Sequence, residues 1–314
     1  MPGLHTPLMR AAILICCGLL LLVIPSALSE NSSSAESIDK GLFTGVLSTL
    51  STGYSGSDAT VDGLLADGER FLLNGSFSDA SRVFDQVLQA DPDSSAGWLG
   101  LARAQSGSGD QEQALESVEE FLFRHPDAWQ GYLLQGTILT SLQKYEDAVV
   151  SYEKALEKNS TDPLSWAGYG AALYGNGRFQ DARDACQKSL TLHPDLPSAY
   201  YWEGKSRFML GDESGALKSL NQTVTLDSRF IEAYLAISDI YDTTGRQEDA
   251  LLAIMAGLDA NPSSFLLWKE KGLLLEDLDR ISEAHEAYEQ ALGLNPDDSD
   301  VRQRLTNISD GSVL

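Results

Sequence analysis

The sequence predicts an all-α solenoid in which seven helix hairpins follow one another without interruption. The first observation is an alanine that recurs at one constant interval, seven times in succession. The second is a small residue, glycine, alanine or serine, twelve positions before each of these alanines. The third is a proline twelve positions after five of the seven alanines. A hairpin of this size cannot bury its apolar face alone, so neighbouring units must stack. The recurring alanines are Ala80, Ala114, Ala148, Ala182, Ala216, Ala250 and Ala284.

Each unit has two halves with apolar residues at helical spacing. Trp166, Tyr169 and Leu173 show the pattern in a first half, and Ala182 and Cys186 show it in a second half. Cys186 stands in an aromatic slot, where it is expected to act as a small buried hydrophobe. Glycine usually separates the halves, as a turn with positive φ requires, and proline ends the second helix. The turn glycines are Gly75, Gly177, Gly211 and Gly245.

The repeat pattern divides the chain into four segments. Residues 1–29 are expected to be a targeting segment, 30–60 a spacer, 61–298 the repeat array, and 299–314 a capping helix and tail. The seven predicted units are 61–94, 95–128, 129–162, 163–196, 197–230, 231–264 and 265–298.

The last unit carries a full set of signature residues, Trp268, Gly272, Ala284, Tyr288 and Pro296. In this respect the array resembles the tetratricopeptide repeat family. The resemblance implies a right-handed superhelical solenoid in which the first helices line a concave groove. It also implies an adaptor or scaffold for protein partners, while its motifs are nearly silent about any particular partner.

The N-terminal segment, 1–29, has the features of a secretory signal. Residues 11–24 are uncharged and apolar, follow Arg10, and are succeeded by the small residues Ser26 and Ala27. If the segment is not cleaved, residues 11–28 are barely long enough to anchor the chain in a membrane. We therefore expect the protein to be exported and either secreted or tethered at the cell surface. The third alternative is an adaptor on the cytoplasmic side, held by an uncleaved helix.

The segments on either side of the array carry short amphipathic patterns. Residues 30–60 are rich in Ser, Thr and Gly, but apolar residues between Ile38 and Leu50 are spaced for a helix. That helix is expected either to cap the first repeat or to bind a partner. After the last repeat, Val301, Leu305 and Ile308 form one apolar stripe, which predicts a C-terminal capping helix.

Five of the eight asparagines head an Asn-x-Ser/Thr sequon, where chance predicts about one. Serine-rich polar loops also produce such matches without modification. The candidate N-glycosylation sites are Asn31, Asn74, Asn159, Asn221 and Asn307.

Composition argues against several classes of function. The 22 basic and 46 acidic residues leave a formal charge of −24, which disfavours binding to nucleic acid or to anionic membrane surfaces. The histidines that follow the N-terminal segment, His125, His193 and His285, are dispersed along the array. Such dispersion supports neither a metal site nor a catalytic pair. The sequence therefore predicts a protein that is not an enzyme and uses no cofactor.

The family resemblance implies which side chains line the groove, and the most prominent lie around Trp202. Aromatic residues beside a cation are typical of binding hot spots, although Trp202 would also suit packing between helices. The groove lacks the Lys, Asn and Arg set of a clamp for a C-terminal carboxylate, so an extended peptide or a partner helix is expected. The candidate groove residues are Leu99, Arg103, Leu133, Thr137, Tyr174, Tyr201, Trp202, Lys205, Phe208, Asp239 and Asp242.

These observations together predict an exported, non-catalytic scaffold that binds a peptide or helix of a protein partner in its groove. The alternative is a membrane-anchored structural spacer at the cell surface, with or without glycans.

Overall fold

The computed structural model describes residues 59–309, with side chains from residue 61 onward. The predicted targeting segment, nearly all of the spacer, Asn31 and residues 310–314 lie outside the described residues. Every regular element between residues 59 and 309 is an α-helix, which confirms the all-α prediction. The helices are α1 (Ala59–Leu73), α2 (Phe77–Ala90), α3 (Ser95–Ser108), α4 (Gln111–Arg124), α5 (Trp129–Ser141), α6 (Tyr145–Lys158), α7 (Pro163–Gly175), α8 (Phe179–Leu192), α9 (Pro197–Met209), α10 (Glu213–Leu226), α11 (Ile231–Thr243), α12 (Gln247–Ala260), α13 (Phe265–Asp277), α14 (Ile281–Leu294) and α15 (Ser299–Ser309).

Helices α1 to α14 form seven successive hairpins, and each hairpin packs on the next. All seven repeat alanines are fully buried, as is the residue four positions after each of them. The small residue of the first helix lets the two backbones approach. A Cβ added at Gly170 would lie 2.5 Å from Sγ of Cys186 and 3.1 Å from the carbonyl oxygen of Ala182. Burial also raises the pKa of the Cys186 thiol, so this cysteine is a packing residue, as expected.

Large aromatic residues near the start of the first helices hold the links between hairpins. The indole N–H groups of Trp98, Trp166 and Trp268 each donate to the backbone carbonyl six positions earlier, at 2.9 Å. Each bond satisfies a link carbonyl that has no helical partner. The tryptophan at this slot therefore orients the link as well as filling the core.

The turn inside each hairpin places one residue in the left-handed region. The four predicted turn glycines have φ between +71° and +84°, and Gly109 takes the same conformation. In the two remaining hairpins the slot is occupied by Gln143 and Asp279, both with φ of +58°. A side chain in this region costs roughly 1–2 kcal/mol.

Substitution of Gln143 by glycine is therefore expected to raise the free energy of unfolding by about 0.5–1 kcal/mol, since glycine relieves the left-handed strain. Glycine also loses more backbone entropy on folding, so the net gain is smaller than the strain itself. Urea unfolding followed by circular dichroism measures the change. The matched control is Gly177→Ala, which is expected to lower stability by a similar amount; a loss of stability in Gln143→Gly would contradict the prediction.

The arrangement of the hairpins creates an inner surface. First helices of successive hairpins contact one another along the array, so they lie on the concave side. At the C-terminal end, α15 packs on α14, with Val301 fully buried and with Leu305 and Ile308 against the core. No helix between residues 59 and 309 is long and apolar enough to cross a bilayer.

Candidate protein-binding groove

The predicted groove residues all lie on first helices, but their side chains differ in accessibility. They are Leu99 and Arg103 on α3, Leu133 and Thr137 on α5, Tyr174 on α7, Tyr201, Trp202, Lys205 and Phe208 on α9, and Asp239 and Asp242 on α11.

Arg103 does not offer a free charge to a partner, which corrects the expectation that it faces the groove as a cation. Its side chain is only 2% exposed and makes two hydrogen bonds to the carboxylate of Glu69, at 2.8 and 3.1 Å. Burial lowers the pKa of Arg103, and the charge of Glu69 opposes that effect. The pair joins α1 to α3 and is a structural element of the first two hairpins.

Three further candidates lie in the floor of the array and are not accessible. Leu133 is fully buried, and Leu99 and Thr137 are also buried. The Thr137 hydroxyl donates to the carbonyl of Leu133 at 2.9 Å and lies 3.2 Å from the hydroxyl of Tyr152. Side chains at these positions are covered by the close packing of successive first helices, so these three are core residues and the prediction that they line the groove is wrong.

The central part of the groove, formed by α7 and α9, is aromatic. The ammonium of Lys205 lies 5.0 Å from the ring centroid of Tyr174 and 5.5 Å from those of Tyr201 and Trp202. Such distances are typical of cation–π contacts. Trp202 itself is only 6% exposed and packs against both tyrosines. Trp202 therefore serves mainly to pack between helices, which was the alternative expected for it.

The remaining aromatic residues of this region are partly accessible. Tyr174 and Phe208 are partly exposed, whereas Tyr201 is buried, with its ring centroid 5.0 Å from that of Phe230. Burial, and then the negative charge of Asp239, raise the pKa of Tyr174 to about 12. The tyrosines are therefore neutral near physiological pH and provide apolar ring faces with a hydroxyl. Tyr174, Lys205 and Phe208 form what we call the aromatic wall.

The groove becomes acidic beyond the aromatic wall. Asp239 is exposed and Asp242 is partly exposed on α11. Glu270 on α13 is partly exposed, and it is near enough for the charges of both aspartates to act on it. Desolvation of the carboxylate by the surrounding groove raises the pKa of Asp239; the charge of Lys205 opposes this effect and that of Asp242 reinforces it. Among residues 59–309, no group of three or more His, Cys, Asp or Glu residues has a geometry that could hold a metal ion.

Sequence reasoning missed two residues of this surface, Glu69 and Glu270. The signal for Glu69 is that it stands one repeat length before Arg103, which gives opposite charges the same repeat position on adjacent first helices. Glu270 stands two repeat lengths after Trp202 and so has the same repeat position as that tryptophan. A comparison of side chains across repeats at fixed positions would have found both.

Four of the five candidate glycosylation asparagines are described. Asn74, Asn221 and Asn307 are exposed, and Asn159 is partly exposed with its side-chain oxygen accepting bonds from Thr161. Their modification stays a prediction.

Comparison with known proteins identifies the repeat pattern. A family model described as tetratricopeptide repeat matches residues 65–106, 99–163, 135–197 and 170–230. A second model with the same description matches residues 231–264 and 267–298. These matches together run through nearly the whole described array.

Several curated proteins are similar to parts of the chain. The TPR repeat-containing protein MJ1428 of Methanocaldococcus jannaschii is 23% identical over 242 residues, which are 73% of this chain and 42% of that protein. The Protein O-mannosyl-transferase TMTC1 of Homo sapiens is 26% identical over 178 residues, 55% of this chain and 20% of that protein. The Hsc70-interacting protein 1 of Drosophila melanogaster is 32% identical over 85 residues, 27% of this chain and 22% of that protein. The chain thus spans less than half the length of these relatives.

Solved structures show the same fold. A tetratricopeptide repeat protein from Parabacteroides merdae superposes with a TM-score of 0.62 at 16% identity, covering 80% of this chain and all of that one. The APC/C hetero-tetramer Cut9-Hcn1 superposes with a TM-score of 0.65 at 12% identity, covering 88% of this chain and 54% of that one. Both are solenoids of stacked helix hairpins, as this chain is.

Proposed function

Because the chain belongs to the tetratricopeptide repeat family, we propose that it is a non-catalytic scaffold that binds a segment of a protein partner in the groove formed by α7, α9 and α11. Proteins of this family commonly act as protein-interaction scaffolds. One relative is named as a transferase, but the chain spans only 20% of it. That similarity supports no catalytic step here.

The observation that carries the proposal is the aromatic wall. Lys205 lies among three rings on the concave side, and Tyr174 and Phe208 remain partly exposed there. Aromatic side chains with an adjacent cation bury large areas at a small loss of side-chain entropy, which is the usual composition of a hot spot. The wall is supported from below by the buried Trp202, so its geometry is preorganised.

The shape of the surface favours an extended peptide or a single helix as the bound segment. Successive first helices present their side chains in a row, with ring faces on α7 and α9 and carboxylates on α11 and α13. A segment lying along the row would contact several repeats at once.

The double variant Lys205→Gln/Phe208→Ala is expected to weaken partner binding by about tenfold or more, since it removes a cation and an accessible ring from the hot spot. Neither side chain is fully buried, so the fold should persist. The measurement is quantitative cross-linked capture of partners from the native source, with circular dichroism as the check on folding. Tyr201 is avoided because its burial would make alanine destabilising there.

The matched control is Lys218→Gln/Leu252→Ala. Both residues are exposed on second helices, α10 and α12, and the substitutions remove a cation and an apolar side chain outside the groove. An unchanged partner list in the groove variant, or an equal loss in the control, would show that the groove is not the binding surface.

We further propose that the scaffold is exported, on the basis of the apolar residues 11–24 and the five sequons. Mass spectrometry of the native protein tests this location separately from the groove. A mature N-terminus near residue 30 with occupied sequons is expected. An intact N-terminus in a membrane extract would favour the anchored spacer, and fully unmodified sequons would favour a cytoplasmic-side adaptor.

A further inference from the structure

The charge of the groove changes sign between neighbouring first helices. Helix α9 contributes Lys205, whereas α11 contributes Asp239 and Asp242 and α13 contributes Glu270. Three carboxylates and one ammonium thus follow each other along the same concave face. The pattern specifies the charges that a bound segment must carry and their order.

Lys205 lacks a hydrogen-bond acceptor. It is largely buried and contacts the faces of Tyr174, Tyr201 and Trp202, but within the described part of the chain it makes no hydrogen bond or ion pair. Burial lowers the pKa of Lys205, and the charge of Asp239 only partly opposes this. A largely desolvated ammonium of this kind is stabilised by an oxygen acceptor, which a bound segment can supply.

The carboxylates also lack a directly bonded cation among the described residues, although the charge of Lys205 acts on Asp239 from α9. The side chains of Asp239, Asp242 and Glu270 form no ion pair with any described residue. Lys269 is the positive charge that acts on Glu270. Its ammonium already lies 3.0 Å from Asp300 on α15 and 3.7 Å from Asp298, the residue just before that helix. The acidic end of the groove therefore has a deficit of positive charge.

We propose that the groove binds a basic segment of its partner, with a lysine or arginine side chain placed among Asp239, Asp242 and Glu270 while a backbone carbonyl of the same segment accepts a hydrogen bond from Lys205. This inference rests on the proposed function and adds the chemistry and register of the bound segment. Charge complementarity across a partly desolvated groove strengthens and orients such a complex.

The pKa of Glu270 reflects the same cation deficit. Burial, followed by the charges of Asp239, Asp242 and Asp277, raises the pKa of Glu270 to about 7. A cation placed beside these groups favours the ionised form, so binding is expected to be stronger above neutral pH than below it. Lys269, from its own helix, and Lys205, acting on Asp239 from α9, are the opposing charges.

Fluorescence polarisation on the full chain tests the proposal with three labelled pools of synthetic dodecapeptides. The pools share random Ala, Leu, Ser and Tyr positions and differ in one central residue, which is lysine, glutamine or glutamate. At about pH 8 the lysine pool is expected to bind at least about tenfold more tightly than the glutamine pool, and the glutamate pool most weakly. At about pH 6 the lysine preference should fall several-fold, because Glu270 is then mostly protonated.

The variant Asp242→Asn/Glu270→Gln is expected to abolish the lysine preference while retaining the affinity for the glutamine pool. Its matched control is Asp259→Asn/Glu286→Gln, which removes the same charges from exposed sites on second helices, α12 and α14. Equal binding of the lysine and glutamine pools, or a preference that survives in the groove variant, would overturn the proposal.

Other outcomes separate this inference from the proposed function. If all pools bind equally well and this binding is lost in Lys205→Gln/Phe208→Ala, the groove is the binding surface but the bound segment need not be basic. Binding of every pool that is insensitive to both groove variants would reject the groove itself. Dimerisation of the full chain that is lost with Phe208→Ala would assign the groove to a second copy, and absence of any binding would also overturn the proposal.

A stability measurement checks the acidic cluster without a ligand. The folded state raises the pKa of Glu270 above its ordinary value of 4.5, so its favourable contribution is present below that value and is lost as the pH rises through about 7. Glu270→Gln is therefore expected to have a higher Tm than the parent chain at about pH 8 and a similar Tm at about pH 4.5. An equal difference at both pH values would show that the carboxylates do not repel one another.

Discussion

Replacement of Tyr152 by alanine is expected to lower the free energy of unfolding by about 3–5 kcal/mol. Tyr152 is fully buried at the centre of the array, and its ring fills the space between two hairpins. A Cβ added at Gly136 would lie 2.9 Å from this ring, and one added at Gly168 would lie 2.5 Å from it. Two glycine backbones from α5 and α7 therefore enclose the ring, and neither can move in to fill the cavity that alanine would leave.

Comparison with Tyr152→Phe separates the ring from its hydroxyl. The hydroxyl lies 3.2 Å from that of Thr137, so phenylalanine is expected to cost only about 1 kcal/mol. Urea unfolding measures both variants, and limited proteolysis locates the opening. The array should be cleaved first near α5 to α7, because each repeat is stabilised mainly by its neighbours. A loss below about 1 kcal/mol for alanine would show that the hairpins can close the gap.

Removal of the Glu69 carboxylate by substitution with leucine is expected to destabilise the first two hairpins by about 2–4 kcal/mol. The guanidinium of Arg103 is only 2% exposed and would lose its bonding partner, and its Nε already has no acceptor among residues 59–309. The expected loss is set below that of a fully buried pair, since the side chain of Glu69 is 35% exposed.

The double variant Glu69→Leu/Arg103→Met provides the control for this pair. It removes both charges and retains apolar volume, so its stability is expected to return to within about 1 kcal/mol of the parent chain. Thermal unfolding of the parent, the two single variants and the double variant yields the coupling free energy. Additive losses in the double variant would indicate that the two residues act independently.

Much of the fold could be predicted from the sequence because each of the seven repeats places the same residue types at the same packing positions. The alanine at one slot, the small residue at another and the turn glycine each reflect a local requirement, either close backbone approach or positive φ. Gln143 and Asp279 show the limit of this argument. They take the glycine conformation because the rest of each turn and its flanking helices impose it. Their register with the turn glycines marks the slot, but their residue types do not indicate a positive φ.

The groove could be predicted only in part. Its position on the first helices followed from the family resemblance. The sequence also showed that Lys205 stands close to several aromatic residues in the same helix. The accessibility of each side chain was not, because it depends on how far the next hairpin covers the helix. Arg103 and Lys205 occupy the same repeat position, yet one is neutralised by Glu69 and the other is left without an acceptor among the described residues.

The sequence by itself determined the repeat, the helix pairs and the residues that must be buried, because these depend on contacts within one hairpin or with a similar neighbour. The tertiary structure alone decided which charges are paired. Arg103 forms an ion pair with Glu69 of the preceding hairpin, and Lys269 forms one with Asp300 on the capping helix. We infer that the charges of Lys205, Asp239, Asp242 and Glu270 are instead paired by a partner. Electrostatic pairing depends on distances of a few ångströms between side chains of different repeats, and such distances exist only once the array has stacked.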